Sequence, residues 1–169
     1  MADLPLTLKP LAAVDLEAIE RLNARTFGPG RFARSAYRLR EGVAPDLTLS
    51  FAAWVGTLLV GANIMTPIRC GDVPALLLGP LTVDPPFRSG RVGEALVRRS
   101  LEAATEAGHA LVLLVGDLPY YARFGFATVP LGQLDFGGPV DPARLLYREL
   151  IEGAFATAAG TVRRAIPVG

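Results

Sequence analysis

The segment Arg88-Ser89-Gly90-Arg91-Val92-Gly93-Glu94 sets two arginines and two glycines at the start of an apolar-periodic stretch. A loop that opens a helix aims backbone N–H groups at one spot, and the helix dipole makes that spot favourable for an anion. Gly90 and Gly93 would let phosphate oxygens approach the backbone, while Arg88 and Arg91 add charge. The chemistry implied is phosphate binding; the plain alternative is a helix start with two exposed arginines. No Gly-Lys-Ser/Thr follows, so this is not a P-loop. G-x-G-x-x-G is also missing, which argues against a dinucleotide site.

Other reactive side chains are few. Cys70 is the only cysteine and His109 the only histidine. An internal disulfide is impossible, a multi-His metal site is excluded, and a Cys-based metal site is not expected. Cys70 reads as a turn residue without a basic partner, so no covalent intermediate is expected on it. His109 reads as a loop residue. Tyr120, Tyr121, Phe124 and Phe126 form an aromatic group; from residue types alone, Tyr121 belongs to the core.

The elements that must position these residues follow from the apolar periods. Leu4, Leu6 and Leu8 alternate as a first strand. Asp15 to Phe27 has helical spacing, with Asp15 as a candidate cap. Arg31 to Arg40 predicts a second helix. Leu47–Val55 and Thr57–Ile68 predict a hairpin turning near Gly56. Ala75–Val83 predicts a fourth strand, interrupted at Gly79-Pro80, where a bulge or an end to pairing is expected. Val92–Ala107 is an amphipathic helix closed by Gly108. Ala110–Val115 is an apolar run suited to a strand buried on both faces. Strand, helix and buried strand make a right-handed crossover between parallel strands. Leu118–Phe124 predicts a short helix, and Gly125-Phe126 leads to another strand. Leu145–Val162 fits either strand or helix.

Composition bounds the class. The chain has 169 residues, 51% hydrophobic and 20% charged, with a formal net charge of +1. This suits one globular domain, 1–169, and gives no electrostatic reason for a nucleic-acid partner. Leu47–Ile68 carries no charge and is long enough to span a bilayer. Its strand alternation and its internal Ser, Gly, Asn and Pro favour buried strands instead. The N-terminus lacks a signal-peptide pattern, so a cytoplasmic location without membrane association is expected.

Residues Leu78 to Phe126 resemble the Gcn5-related N-acetyltransferase (GNAT) superfamily. LGPLTVDPPFRSGRVGEALVRRSLEAATEAGH is similar to its central strand–loop–helix motif. LVLLVGDLPYYARFGF is similar to its later strand–helix motif, in the form of the bacterial YhbS-type branch. The resemblance implies an α/β (α+β) fold with a mixed, mostly antiparallel sheet, a splayed parallel strand pair and flanking helices. It implies acetyl transfer from acetyl-CoA, as co-substrate and without metal, to an amine of a small molecule or protein.

The same resemblance implies roles for individual residues. Leu81, Thr82 and Val83 would lie along the pantetheine arm. Arg88, Ser89, Gly90, Arg91, Val92, Gly93 and Glu94 would hold the pyrophosphate. Tyr121 matches the general acid, and the Val83 backbone N–H is expected to polarise the thioester. Arg91 stands where the family pattern has a glycine, with Gly90 one place earlier. Asp84, Asp117 and Glu41 are candidate bases, beside a water chain. A homodimer is compatible with the family. Two alternatives stand beside catalysis: a non-catalytic acyl-CoA sensor, and a partner-binding module that uses the uncharged hairpins as an edge.

Overall fold

The computed structural model describes residues 5–30, 35–88 and 91–165. Two antiparallel hairpins build the first half of the sheet: β1 (Leu6–Pro10), β2 (Phe51–Val55), β3 (Leu58–Cys70) and β4 (Val73–Val83). The second half contains β5 (Leu111–Val115), β6 (Ala127–Thr128), β7 (Leu134–Asp135), β8 (Leu145–Glu149) and β9 (Gly160–Arg164). The strand order is β1-β2-β3-β4-β5-β8-β6, with β9 on the far end of β3 and β7 on β9. Pairings are antiparallel except β4–β5 and the short β7–β9. The tail that fitted either period is therefore two strands, β8 and β9.

The helices are α1 (Leu16–Phe27), α2 (Ser35–Arg40), α3 (Val92–Glu106) and α4 (Leu118–Tyr121). The stripe of α3 that the periodicity picked out is buried: Val92, Leu96, Val97, Leu101 and Ala104 pack on Phe51, Val60, Met65 and Leu114. Each fully buried leucine of this kind contributes about 1.5–3 kcal/mol. On the opposite face, Ile19 of α1 packs with Leu11, Ala52 and Ala62. The uncharged segment supplies β2 and β3, in the interior of the sheet, so the partner-binding reading loses the observation that motivated it. Among the described residues, no helix is long and apolar enough to cross a membrane.

Several expected boundaries shift for local reasons. The strand expected from Leu47 begins at Phe51, because Asp46 Oδ1 accepts from the Thr48 backbone N–H (3.0 Å) and hydroxyl (2.6 Å) and holds 47–49 in a turn. Asp15 does not cap α1 through its side chain; its carboxylate accepts from Ala12 N at 3.3 Å, across a preceding 3-10 turn. The helix expected over Leu118–Phe124 tightens into a 3-10 turn from Ala122, ending at Gly125 with φ 85°. The first four residues of the expected second helix lie outside the described residues, as does Leu4. Cys70 ends β3 rather than forming a turn; it is buried, and burial pushes its thiol pKa up to about 12, which keeps it protonated and unreactive.

Candidate active site at the parting of two strands

The parallel pair β4–β5 is joined only at Leu76↔Val112 and Leu77↔Leu113. Beyond Leu77, β4 runs on through a cis Gly79-Pro80 peptide to Val83 while keeping its pairing with β3. Its other edge is therefore open. The interruption expected at Gly79-Pro80 falls where that opening begins, and a bulge sits opposite it in β3, between Asn63 and Met65.

Backbone parity identifies the groups that face the opening. Asp84 N donates to Val60 O at 2.8 Å, so Asp84 and Thr82 turn their amides toward β3. Leu81 and Val83 turn theirs away, and the Val83 carbonyl accepts from Arg88 Nε at 3.3 Å. Thr82, expected along the same arm, instead turns its backbone to β3. Its buried hydroxyl donates to Asn23 Oδ1 of α1.

Two clefts meet at this edge. The first, about 790 Å³, is lined by Leu81, Val83, Arg88, Arg91, Gly93 and Glu94, together with Arg123 and Tyr120. The start of α3 opens onto it. The N-cap residue is Arg91, without a side-chain cap, so the first N–H groups of the helix remain for a ligand. Arg91 has φ −96°, a conformation any residue adopts; the glycine of the usual pattern is not needed there. Its exposed side chain lines the cleft as a third cation beside Arg88 and Arg123. Glu94 is drawn back by Arg98 at 3.1 Å. Val92 is buried, so only its backbone can serve a ligand. Ser89 and Gly90 lie outside the described residues. A Cβ on Gly93 would stand 3.0 Å from the Tyr120 hydroxyl and 3.6 Å from Val83 Cγ2, so this glycine keeps the corner open. Orphan helix amides, three arginines and an unpaired strand edge fit a ligand with a pyrophosphate and an amide-bearing arm.

The second cleft, about 750 Å³, lies between α1, α2 and the parted strands. Leu81, Phe27 and Tyr120 line both clefts, which therefore meet there. Tyr121, Asp117, Asn23, Arg40 and Arg144 line the second. Of the carboxylates considered as bases, Asp117 lines it, 3.4 Å from Arg144; Asp84 and Glu41 line neither cleft. Tyr121 packs edge-on against Tyr120 and Phe126. Burial, then Tyr120 and Asp117, push its pKa up to about 12 against the opposing pull of Arg144. Burial also raises Tyr120, against Arg123 stacked 4.8 Å over its ring.

Tyr120, Arg123 and Asn23 were missed in the sequence. The i, i+3 spacing of Tyr120 and Arg123 on one helical turn was a usable signal. Asn23 had none: its importance comes from a partner 59 positions away.

Gly116 abuts the Tyr121 ring. A Cβ there would lie 2.5 Å from Cε2, which no side chain tolerates without movement of the ring. Gly116→Ala is expected to lower kcat about tenfold through misplacement of Tyr121, with acetyl-CoA binding retained. Steady-state kinetics beside a binding titration checks this.

Comparison with known proteins agrees with the geometry. The chain is 30% identical over 151 residues to the uncharacterized N-acetyltransferase YhbS of Escherichia coli K12, spanning 88% of this chain and 90% of that protein. The chain belongs to the GNAT family of N-acetyltransferases. The crystal structure of the E. coli GNAT-family YhbS in complex with CoA superposes with a TM-score of 0.81 at 25% identity, covering 98% of this chain and 92% of that one. A GNAT acetyltransferase from Brucella melitensis, in complex with acetyl-CoA, shares the fold at a TM-score of 0.58 and 22% identity, covering 90% and 99%. No family model matches the sequence. Among the described residues, no group of His, Cys, Asp and Glu is placed to hold a metal.

Proposed function

We infer that the protein transfers an acetyl group from acetyl-CoA directly to an amine, with the donor in the first cleft and the acceptor in the second. The observation that carries this reading is the meeting of the two clefts at Leu81 and Tyr120, where β4 loses its partner strand.

The α3 N-terminus with Arg88, Arg91 and Gly93 binds the pyrophosphate. Ser89 and Gly90 complete that loop in the sequence. The open edge of β4, with the outward amides of Leu81 and Val83, receives the pantetheine arm and its thioester as an added strand would. Acetyl-CoA supplies an activated thioester, whose carbonyl oxygen gains negative charge during transfer. An N–H aimed at that oxygen lowers the barrier by about 3 kcal/mol. Val83, the donor expected from sequence, and Leu81 both have the required direction. Leu81 sits where the clefts meet, and we assign the role to it, leaving Val83 to the arm. As the N–C bond forms and the C–S bond breaks, Tyr121 gives its proton to the departing sulfur, and the proton shed by the acylated nitrogen passes through water and restores the tyrosine.

The test is acetyl-CoA consumption over a panel of amines, with isothermal titration of CoA alongside. Saturable CoA binding with amine-dependent release of free thiol is expected. CoA binding without turnover on any amine would leave a sensor. No binding at millimolar CoA would remove the reading altogether.

A further inference from the structure

We infer that Arg123 reads a further phosphate on the donor, the monoester on the ribose of coenzyme A. The inference rests on the acetyl-transfer reading and names the residue that selects this donor over one bearing a pyrophosphate alone.

The first cleft holds more positive charge than a pyrophosphate uses. A pyrophosphate diester carries one negative charge on each of its phosphates. Arg88, Arg91 and the first amides of α3 already face it from one stretch of chain. Among the described residues lining the cleft, Glu94 is the only carboxylate, and it is paired with Arg98 at 3.1 Å. Arg123 adds another cation from a different wall, the 3-10 turn that follows α4. An excess of one sign in a cleft draws a further opposite charge on the ligand.

The guanidinium of Arg123 is oriented but not neutralised. A 3-10 turn brings residues three apart into line. Arg123 accordingly lies over the Tyr120 ring, with Cζ 4.8 Å from its centroid. Tyr120 is itself held edge-on by Tyr121 at 4.9 Å and Phe124 at 5.5 Å. Among the described residues, Arg123 has neither an ion pair nor a hydrogen bond. Stacking on a ring leaves the planar fork of N–H donors open at its edge, which suits a phosphate in two-point contact.

Its place along the cleft favours the monoester over the pyrophosphate. Tyr120 reaches the junction of the two clefts, whereas Arg123 is exposed and lines the first cleft alone. The acetyl end of the donor belongs at the junction. Its nucleotide end therefore points toward the exposed side, where Arg123 stands.

The experiment titrates CoA and 3′-dephospho-CoA into the native protein, Arg123→Gln, Arg123→Lys and Arg88→Gln by isothermal calorimetry. The native protein is expected to bind CoA about tenfold more tightly, the usual effect of a hydrogen bond between charged groups, and the preference shrinks as salt is raised. In Arg123→Gln the preference falls toward unity through weaker CoA binding, with 3′-dephospho-CoA affinity unchanged. In Arg123→Lys part of it survives. Arg88→Gln weakens both ligands by the same factor; thermal melts confirm that the variants fold. Equal affinities in the native protein overturn the inference and leave the donor site standing. So does a loss in folded Arg123→Gln that is the same for both ligands, which would place Arg123 on the pyrophosphate. Binding of neither ligand to the native protein overturns the acetyl-transfer reading as well.

Discussion

Tyr121→Phe is expected to lower kcat about a hundredfold or more, the usual contribution of a positioned acid, while the affinity for acetyl-CoA changes little. The ring packs against Tyr120 and Phe126, and phenylalanine keeps those contacts, so the fold should survive. What is lost is a proton held at the edge of the second cleft. With a pKa near 12, the hydroxyl stays protonated across the working range. Tyr121 should therefore impose no alkaline limb on the rate between pH 7 and 10. The folded pKa lies above the ordinary tyrosine value of 10.0, so its contribution to stability is complete below pH 10 and is lost as pH rises through about 12. Unchanged kcat in Tyr121→Phe would take the residue out of the mechanism. An alkaline limb near pH 8 that vanishes in the variant would show that the hydroxyl titrates far below its expected range.

Gly93→Val is expected to weaken acetyl-CoA binding about tenfold to a hundredfold, which corresponds to the 1–3 kcal/mol typical of overpacking. The backbone does not demand glycine here: Gly93 is not among the positive-φ glycines, and it lies in the first turn of α3, where valine is a better helix former. The gain in helix propensity is set against the 3.0 Å approach of the new Cβ to the Tyr120 hydroxyl, so a small net loss of stability is expected. The cost falls on the ligand, because the side chain would enter the corner bounded by the Tyr120 hydroxyl, Val83 and Leu81. Isothermal titration beside a thermal melt separates the two effects. Native-like affinity would show that the phosphates do not pass this corner.

Most of the frame was legible because its elements follow simple periods. The α3 stripe and the apolar run of β5 needed no tertiary information. Gly79-Pro80 marked the parting of β4 from β5, since a strand seldom tolerates that pair without losing something. The exact start of β2 was less legible, because one carboxylate, Asp46, outweighed the alternation from Leu47. Arg91 looked like a defect when judged by pattern; its backbone angle shows why a side chain fits. The wall of the second cleft was the least legible. Asn23, Arg40 and Arg144 come from α1, α2 and the β8 approach, and only long-range folding brings them to one cleft.

Among the described residues, β4 and β5 share two register pairs, and the other direct tie between the halves of the sheet is the short β3–β9 pairing. A pantetheine arm laid along β4 would add rungs that the chain itself does not supply. The lifetime of the fold against proteases would then follow the supply of its donor, through the mass-action stabilisation any native-state ligand provides. Digestion with and without CoA would measure that dependence, and equal cleavage rates under saturating CoA would disprove it.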